Sequence, residues 1–306
     1  MKSIVFFLGK GGVGKSTMAV LTSLHRANRG EEILLASLDP AHNLSHILEK
    51  KLSPKPKKVS AGLSALEVDP KRLTRTYLKT IENDLRRAYS YQTAFNLSGY
   101  FNLIRHSPGI EEYALLRAFH DIVRTHDDKD SLIFDMPPTA LTLKFFRLPF
   151  LSLLWLEEIR SLRKTIKEKK EMITTITLGR KKIEGDRVLN KIENSIEEYR
   201  LMGNLFRDAE RISVRLVMNP DRLSHLESRN IRDELAEMGI SISRVILNRC
   251  EGEEVPKETA KLFKLPTVSL PVSCEPLLGL SRLLQYIHDH RPEFDVLDAP
   301  HRHSRR

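Results

Sequence analysis

The residues that invite a chemical reading come early. Gly9-Lys10-Gly11-Gly12-Val13-Gly14-Lys15-Ser16-Thr17 follows the apolar run Ser3–Leu8 and satisfies the spacing Gly-x-x-x-x-Gly-Lys-Ser/Thr. Such a loop between a strand and a helix lets backbone N–H groups close on phosphate oxygens, and the helix N-terminus adds positive potential. Lys15 is then the residue that neutralises the β and γ phosphates of a nucleotide, and the Ser16 hydroxyl a ligand for Mg²⁺. The loop also holds Lys10, which the phosphate-cradle spacing does not require.

Two carboxylates complete the candidate chemistry. Asp39, in Ser37-Leu-Asp-Pro-Ala-His-Asn-Leu-Ser45, is expected as the last residue of a strand, where it can orient or deprotonate the water attacking a γ-phosphate. Asp135 follows Leu132-Ile-Phe134 and is expected at another strand tip, next to Mg²⁺ directly or through water. Pro137 and Pro138 stiffen the loop behind it.

The elements needed to position these groups are legible as apolar runs beginning near Ser3, Glu32, Leu63, Ser131, Ile212, Ser243 and Thr267, most of them separated by helical patterns. That alternation predicts an α/β fold, a mostly parallel sheet with helices on both faces, whose ligands sit at the carboxyl ends of the strands. Two intervals are too long for simple crossovers. Leu73, Tyr77, Ile81 and Leu85 mark one helical stripe. Leu151, Leu154, Ile159, Leu162 and Ile166 mark a second, and Val188, Ile192, Ile196, Tyr199, Met202 and Phe206 a third, with Asp186 as N-cap and a loop over residues 177–186 before it. We read residues 1–306 as a single domain carrying a helical subdomain built from insertions at about 71–128 and 150–210, with a basic tail at 299–306.

An apolar content of 41% and a charged content of 29% are those of a soluble globular protein. The first residues do not read as a secretory signal, because the glycine loop interrupts the apolar run. The stretch Leu148–Leu156 reads as too short to span a bilayer, so a cytoplasmic location is expected, with the inner face of a membrane as a peripheral station. Cys250 and Cys274 lie in no Cys-x-x-Cys pair, which argues against a disulfide framework or a zinc site. The net charge of +10 has its densest runs at 50–58, 163–170 and the tail. Such runs are usually solvated faces, and aromatics are not interleaved with them, so nucleic acid is not an expected partner.

The chain also resembles a known family. The glycine loop, Asp39-Pro-Ala-His-Asn-Leu-Ser45, Leu66-Glu-Val-Asp-Pro70, Pro108-Gly-Ile-Glu-Glu112, Phe134-Asp-Met-Pro-Pro-Thr-Ala-Leu-Thr142 and Val245-Ile-Leu-Asn-Arg-Cys250 occur in the order of the ArsA-like ATPases, which include the arsenite-pump ATPase and the ATPase that targets tail-anchored membrane proteins. The resemblance implies a P-loop NTPase of the deviant Walker A class, an ATP- and Mg²⁺-dependent homodimer. In it Lys10 reaches the partner's phosphates, Asp39 activates water, Asn43 belongs to the same switch, and Asn248 reads the adenine edge. Pro271 and Val272 begin a loop over adenine and ribose, and Asp221 contacts nucleotide in the dimer. The plainer readings are a strand-end residue for Asn248 and a helix N-cap for Asp221.

Departures accompany the likeness. Ala140 and Leu141 stand where the family's second switch usually carries Gly-His, and the Cys-x-x-Cys clasp of the tail-anchor branch is missing. Arsenite activation is not expected, since its capture needs converging thiolates. A client would be an apolar membrane-protein segment held in a helical groove to which Trp155, Met172, Met202 and Phe206 contribute, although a stripe at helical spacing is more often core. The alternatives are a positioning ATPase on membrane or DNA, like MinD or ParA, and a nucleotide-binding pseudoenzyme.

Overall fold

The computed structural model describes residues 3–41, 43–88, 109–178, 186–250, 263 and 265–299. Within them eight strands form one sheet in the order β3-β4-β2-β5-β1-β6-β7-β8. They are β1 (Ser3–Leu8), β2 (Ile33–Ser37), β3 (Lys57–Ser60), β4 (Leu63–Glu67), β5 (Ser131–Asp135), β6 (Ile212–Met218), β7 (Ile242–Asn248) and β8 (Thr267–Leu270). All neighbours are parallel except β3 and β4. The continuous apolar runs of β1, β2 and β5 are explained by their central places, buried from both sides.

Side-chain alternation divides the core in two. Phe7 points with Val5 toward α1 (Lys15–Asn28), α8 (Gly279–Asp289) and α9 (Arg291–Asp298). Phe6 points the other way, into a cluster with Phe119, Phe134, Phe145, Phe146 and Phe206. Ring centroids there lie 5.3 Å apart for Phe6–Phe134 and 5.0 Å for Phe146–Phe206. This cluster roots α4 (Ile110–Thr125), α5 (Thr139–Leu178) and α6 (Arg187–Arg207) on the sheet; α2 (Asn43–Ile47), α3 (Pro70–Ala88) and α7 (Arg222–Glu237) complete the helices of the described residues.

The seven expected strands are present, and β3 is an addition. It was hidden in the basic run 50–58 that reads as a solvated face. Lys57 and Lys58 are its exposed start, as suits an edge strand that must resist pairing with other chains. The helical intervals also need correction. Alpha-helical structure does not begin after Pro149: α5 runs through it for 40 residues, about 60 Å at the usual rise. Residues Thr139–Lys169 are long and apolar enough by composition to cross a membrane, contrary to the reading of Leu148–Leu156 alone. The N-terminal part is core, with Phe145 and Phe146 fully buried. The stripe beyond it is not: Leu151, Leu154, Ile159, Leu162 and Ile166 are all exposed, as is Trp155, whereas Met202 and Phe206 are core as expected of such positions.

Asp186 does cap α6, accepting the Val188 and Leu189 N–H groups at 3.1 Å each, and its carboxylate also pairs with Arg163 at 2.8 Å. Ile196, Met202 and Phe206 face inward. Most of the expected loop at 177–186, the tail beyond Ala299 and the side chains of Ile81, Leu85 and Met172 lie outside the described residues.

Candidate functional site

Register brings the catalytic candidates together before any side chain is considered. Asp135, the last residue of β5, stands opposite Phe7 of β1 and Ser37 of β2. The glycine loop leaves β1 just after Phe7, so Asp135 lies beneath it. The loop itself is tightly held. Gly9 has φ +147°, and a Cβ there would overlap the Val217 carbonyl; Gly14 has φ +98°, and a Cβ would overlap Asn248 Nδ2. Only glycine meets both demands of conformation and space. Asn248 closes the loop from β7, donating from Nδ2 to the Val13 carbonyl at 2.8 Å.

Lys15 is buried and donates to the Lys10 carbonyl at 3.3 Å, which holds its ammonium against the loop. Ser37 Oγ donates to Asp135 Oδ2 at 3.2 Å and accepts the Asp39 N–H at 3.2 Å, so one hydroxyl ties the Asp135 carboxylate to the backbone at Asp39. Asp39 itself lies two residues beyond the end of β2, not at its last position. Its Oδ1 accepts the Ala41 N–H at 3.0 Å, which fixes the turn.

Asp135 is fully buried. Burial pushes its carboxyl up to about 7, a rise opposed by the Ser16 hydroxyl and reinforced by the nearby Asp39 charge, with Lys15 and Ser37 lowering it. Among the described residues Oδ1 has no hydrogen-bond partner. An orphaned, buried carboxylate oxygen beside a loop serine fits a hard cation, for which oxygen ligands suffice. Mg²⁺ held by Ser16 and Asp135 would supply charge to neutralise the phosphates.

The remaining predicted residues divide. Lys10 is half-buried, and among the described residues its ammonium has no partner; Gly11 and Gly12 beside it are exposed. Thr17 lines a cleft together with Gly14, Asn248, Pro271, Val272 and Tyr286, a space of about 560 Å³. Tyr286 donates to the Pro271 carbonyl at 2.9 Å, bracing the loop. Asp221 caps α7, accepting the Ser224 N–H at 2.9 Å, and it is solvent-exposed. Asn43 opens α2, half-buried, while His42 before it lies outside the described residues.

Sequence reasoning missed Ser37 and Glu67. Glu67 ends β4, is buried, and accepts the Ser45 N–H and hydroxyl, which ties α2 to the sheet. A glutamate closing an apolar strand was the available signal.

A family model described as anion-transporting ATPase (ArsA ATPase) matches residues 2–265. The chain belongs to the ArsA ATPase family. Relatives include putative arsenical pump-driving ATPase 2 of Aquifex aeolicus, 25% identical over 92% of this chain and 97% of that one. The ATPase ASNA1 homolog of Cryptosporidium parvum is 27% identical over 86% of this chain and 72% of its own length. ATPase GET3A of Arabidopsis thaliana is 27% identical over 80% and 66%. The eight-stranded, mostly parallel sheet accords with that family.

Proposed function

We propose that this ArsA-family ATPase hydrolyses ATP with Mg²⁺ as a homodimer, and that its nucleotide state moves a helical subdomain, contributed by residues 71–128 and 150–210, that shelters an apolar client segment. Lys15 and the loop amides hold the phosphates, Ser16 and Asp135 hold the metal, and Asp39 orients the attacking water. Asn248 with the loop from Pro271 and Val272 receives adenine. Asn43 belongs to the same switch as Asp39, and Asp221 joins the nucleotide contact in the dimer. A cytoplasmic location suits this work.

The observation that carries the client reading is the apolar row on α5 and α6. Leu154 is 64% exposed, Trp155 71%, Leu162 62% and, from α6, Leu201 61%. Contiguous exposed apolar surface marks an interaction site, and an amphipathic helix pair suits helix-in-groove recognition. Met202 and Phe206, candidates for that groove in the sequence, are core residues packed against the sheet.

Trp155 is the single tryptophan of the chain, so its fluorescence reports the groove directly. A helical peptide of about 20 apolar residues is expected to shift Trp155 emission to shorter wavelength when ATP and Mg²⁺ are present, and less with ADP. In parallel, Asp39→Asn is expected to bind ATP and lose turnover. No response of Trp155 to peptide in any nucleotide state rejects the client, and parental turnover by Asp39→Asn rejects the catalytic assignment.

A further inference from the structure

A second polar cavity lies at the opposite edge of the sheet from the P-loop. It occupies about 250 Å³ at the amino ends of β1, β6 and β7, and is lined by Arg26, Arg211, Arg215, Arg244, Ser243 and Asp298. Each guanidinium arrives from a different place: the last turn of α1, the loop before β6, β6 itself and β7.

Most of these side chains have an evident structural use. Arg26 donates from Nε and Nη2 to Glu31 Oε2 at 2.9 and 2.6 Å. Arg244 Nη2 donates to the Ala299 carbonyl at the end of α9. Arg215 is different. It is 4% exposed, with its guanidinium 5.6 Å from the Phe7 ring centroid; Nη2 donates to Asp298 Oδ1 at 2.7 Å, while Nε and Nη1 are buried with no hydrogen-bond partner among the described residues. Leaving charged donors unpaired in the interior is costly, and native folds rarely tolerate it without a ligand or water.

The charges do not cancel locally. Four arginines face Glu31, which pairs with Arg26, together with Asp298 and Glu210. One positive charge remains in excess. Two oxygens are also near: the Ser243 hydroxyl, which donates to the Val214 carbonyl and pairs with the Ser213 hydroxyl, and Asp298 Oδ2, which lies 3.9 Å from His25 Nε2 and has no hydrogen-bond partner among the described residues.

We propose that this basal cavity binds a small tetrahedral oxyanion of the phosphate class, with Arg215 as its buried anchor and Arg211 and Arg244 as its flanks. Guanidinium forks match the oxygens of a phosphate two at a time. The volume is below that of ordinary pockets for drug-sized ligands, which starts near about 300 Å³, so a single phosphoryl group is admitted and a nucleotide is not. The site shares no residue with the glycine loop.

The test must silence the P-loop. With the chain saturated by β,γ-imido ATP and Mg²⁺, equilibrium dialysis against radiolabelled inorganic phosphate is expected to show one further bound phosphate per chain. The double variant Arg211→Gln with Arg244→Gln is expected to weaken it on the order of a hundredfold, about tenfold per charge-assisted contact. Arg147→Gln, which removes an equal charge from a surface pair with Glu234, is expected to leave it unchanged. Competition by glycerol 3-phosphate would assign the site to a phosphomonoester; its failure to compete would assign it to the free ion. In the parent chain, phosphate is expected to slow amide exchange at Ile212–Arg215 and Ser243–Arg244, a readout that needs no variant. No bound phosphate beyond the filled P-loop, undiminished binding by the double variant, or protection confined to other segments overturns the proposal.

Discussion

The Glu67 carboxylate takes both donors of Ser45, the backbone N–H at 2.9 Å on Oε1 and the hydroxyl at 2.6 Å on Oε2. Ser45 Oγ also accepts the Leu52 N–H at 3.1 Å, so one residue of α2 is fixed from two sides. A five-residue helix has no stability of its own. What places it after Asp39 is this latch.

Glu67→Ala should therefore leave two half-buried donors of Ser45 unpaired and destabilise the fold by on the order of 1–3 kcal/mol. Its effect on turnover is expected to exceed its effect on ATP affinity, because the phosphate cradle is untouched while the segment after Asp39 loses its tether. Urea unfolding and steady-state kinetics measure the two. A variant with reduced stability and parental kcat would make the latch structural alone.

Asp135 gives a pH dependence whose sign follows from its environment. Its carboxyl is raised to about 7 in the folded, metal-free chain, against about 4 when unfolded. The unfolded state thus releases the proton first. The contribution of Asp135 to stability is complete below about pH 4, falls as pH rises, and is lost once pH passes about 7. Asp135→Asn removes the titration. In EDTA, the urea midpoint of the variant relative to the parent is expected to climb between these limits and level off above them. A difference that is flat with pH contradicts the assignment.

These relationships show where the sequence was a sufficient guide. The phosphate loop is local: its glycines, Lys15 and Ser16 are adjacent in the chain, and their spacing carries the geometry. Asp135 was placed correctly because apolar residues run up to it in a central strand. Asp39 was misplaced by two residues because Leu38 continues the apolar pattern after the β2 ladder has ended. Strand β3 was obscured because an edge strand with lysines has no buried alternation to show. Most consequential, periodicity revealed the stripe on α5 but not what covers it. A helical stripe says that a face is apolar; whether the sheet or solvent meets it depends on how far the helix extends past its root. The Ser45–Glu67 and Ser37–Asp135 contacts join distant parts of the chain and leave no local pattern.

The two ends of α5 predict opposite consequences for the same kind of truncation. Phe146 is fully buried, with its ring 5.1 Å from Phe6 and 5.0 Å from Phe206. Phe146→Ala should cost about 3–5 kcal/mol. Leu162→Ser, at an exposed position, should change stability by no more than about 0.5 kcal/mol yet weaken capture of an apolar peptide. Denaturation and the Trp155 emission shift provide the comparison; peptide binding that survives Leu162→Ser together with Leu154→Ser would place the client elsewhere.

Arsenite is expected not to stimulate turnover, although relatives carry arsenical-pump names. The chain has two cysteines in all, one buried at Cys250 and one exposed at Cys274, whereas tight As(III) capture favours several soft thiolates at one point. Stimulation abolished by changing both to serine would show a thiolate site that this reasoning excludes.

Lys10 supplies the last prediction. Its carbonyl accepts the Lys15 ammonium at 3.3 Å, so the backbone at Lys10 is committed to shaping the site in its own subunit. Its own ammonium has no partner among the described residues, at a rim where Gly11 and Gly12 are exposed. A charge held there is poorly placed to duplicate the contact of Lys15 and well placed to meet phosphates presented by a facing subunit, where charge developing in the transition state would strengthen the contact. Lys10→Ala should then spare nucleotide binding and damage both dimer closure and hydrolysis, while a merely solvated lysine would make the change nearly silent. Heterodimers decide the matter. When a Lys10→Ala subunit is paired with an Asp39→Asn subunit, the site in the Lys10→Ala subunit keeps its own Asp39 and receives Lys10 from its partner, so about half of the parental turnover should return. Verified heterodimers that recover nothing count against action in trans, and a Lys10→Ala homodimer with parental turnover dismisses it.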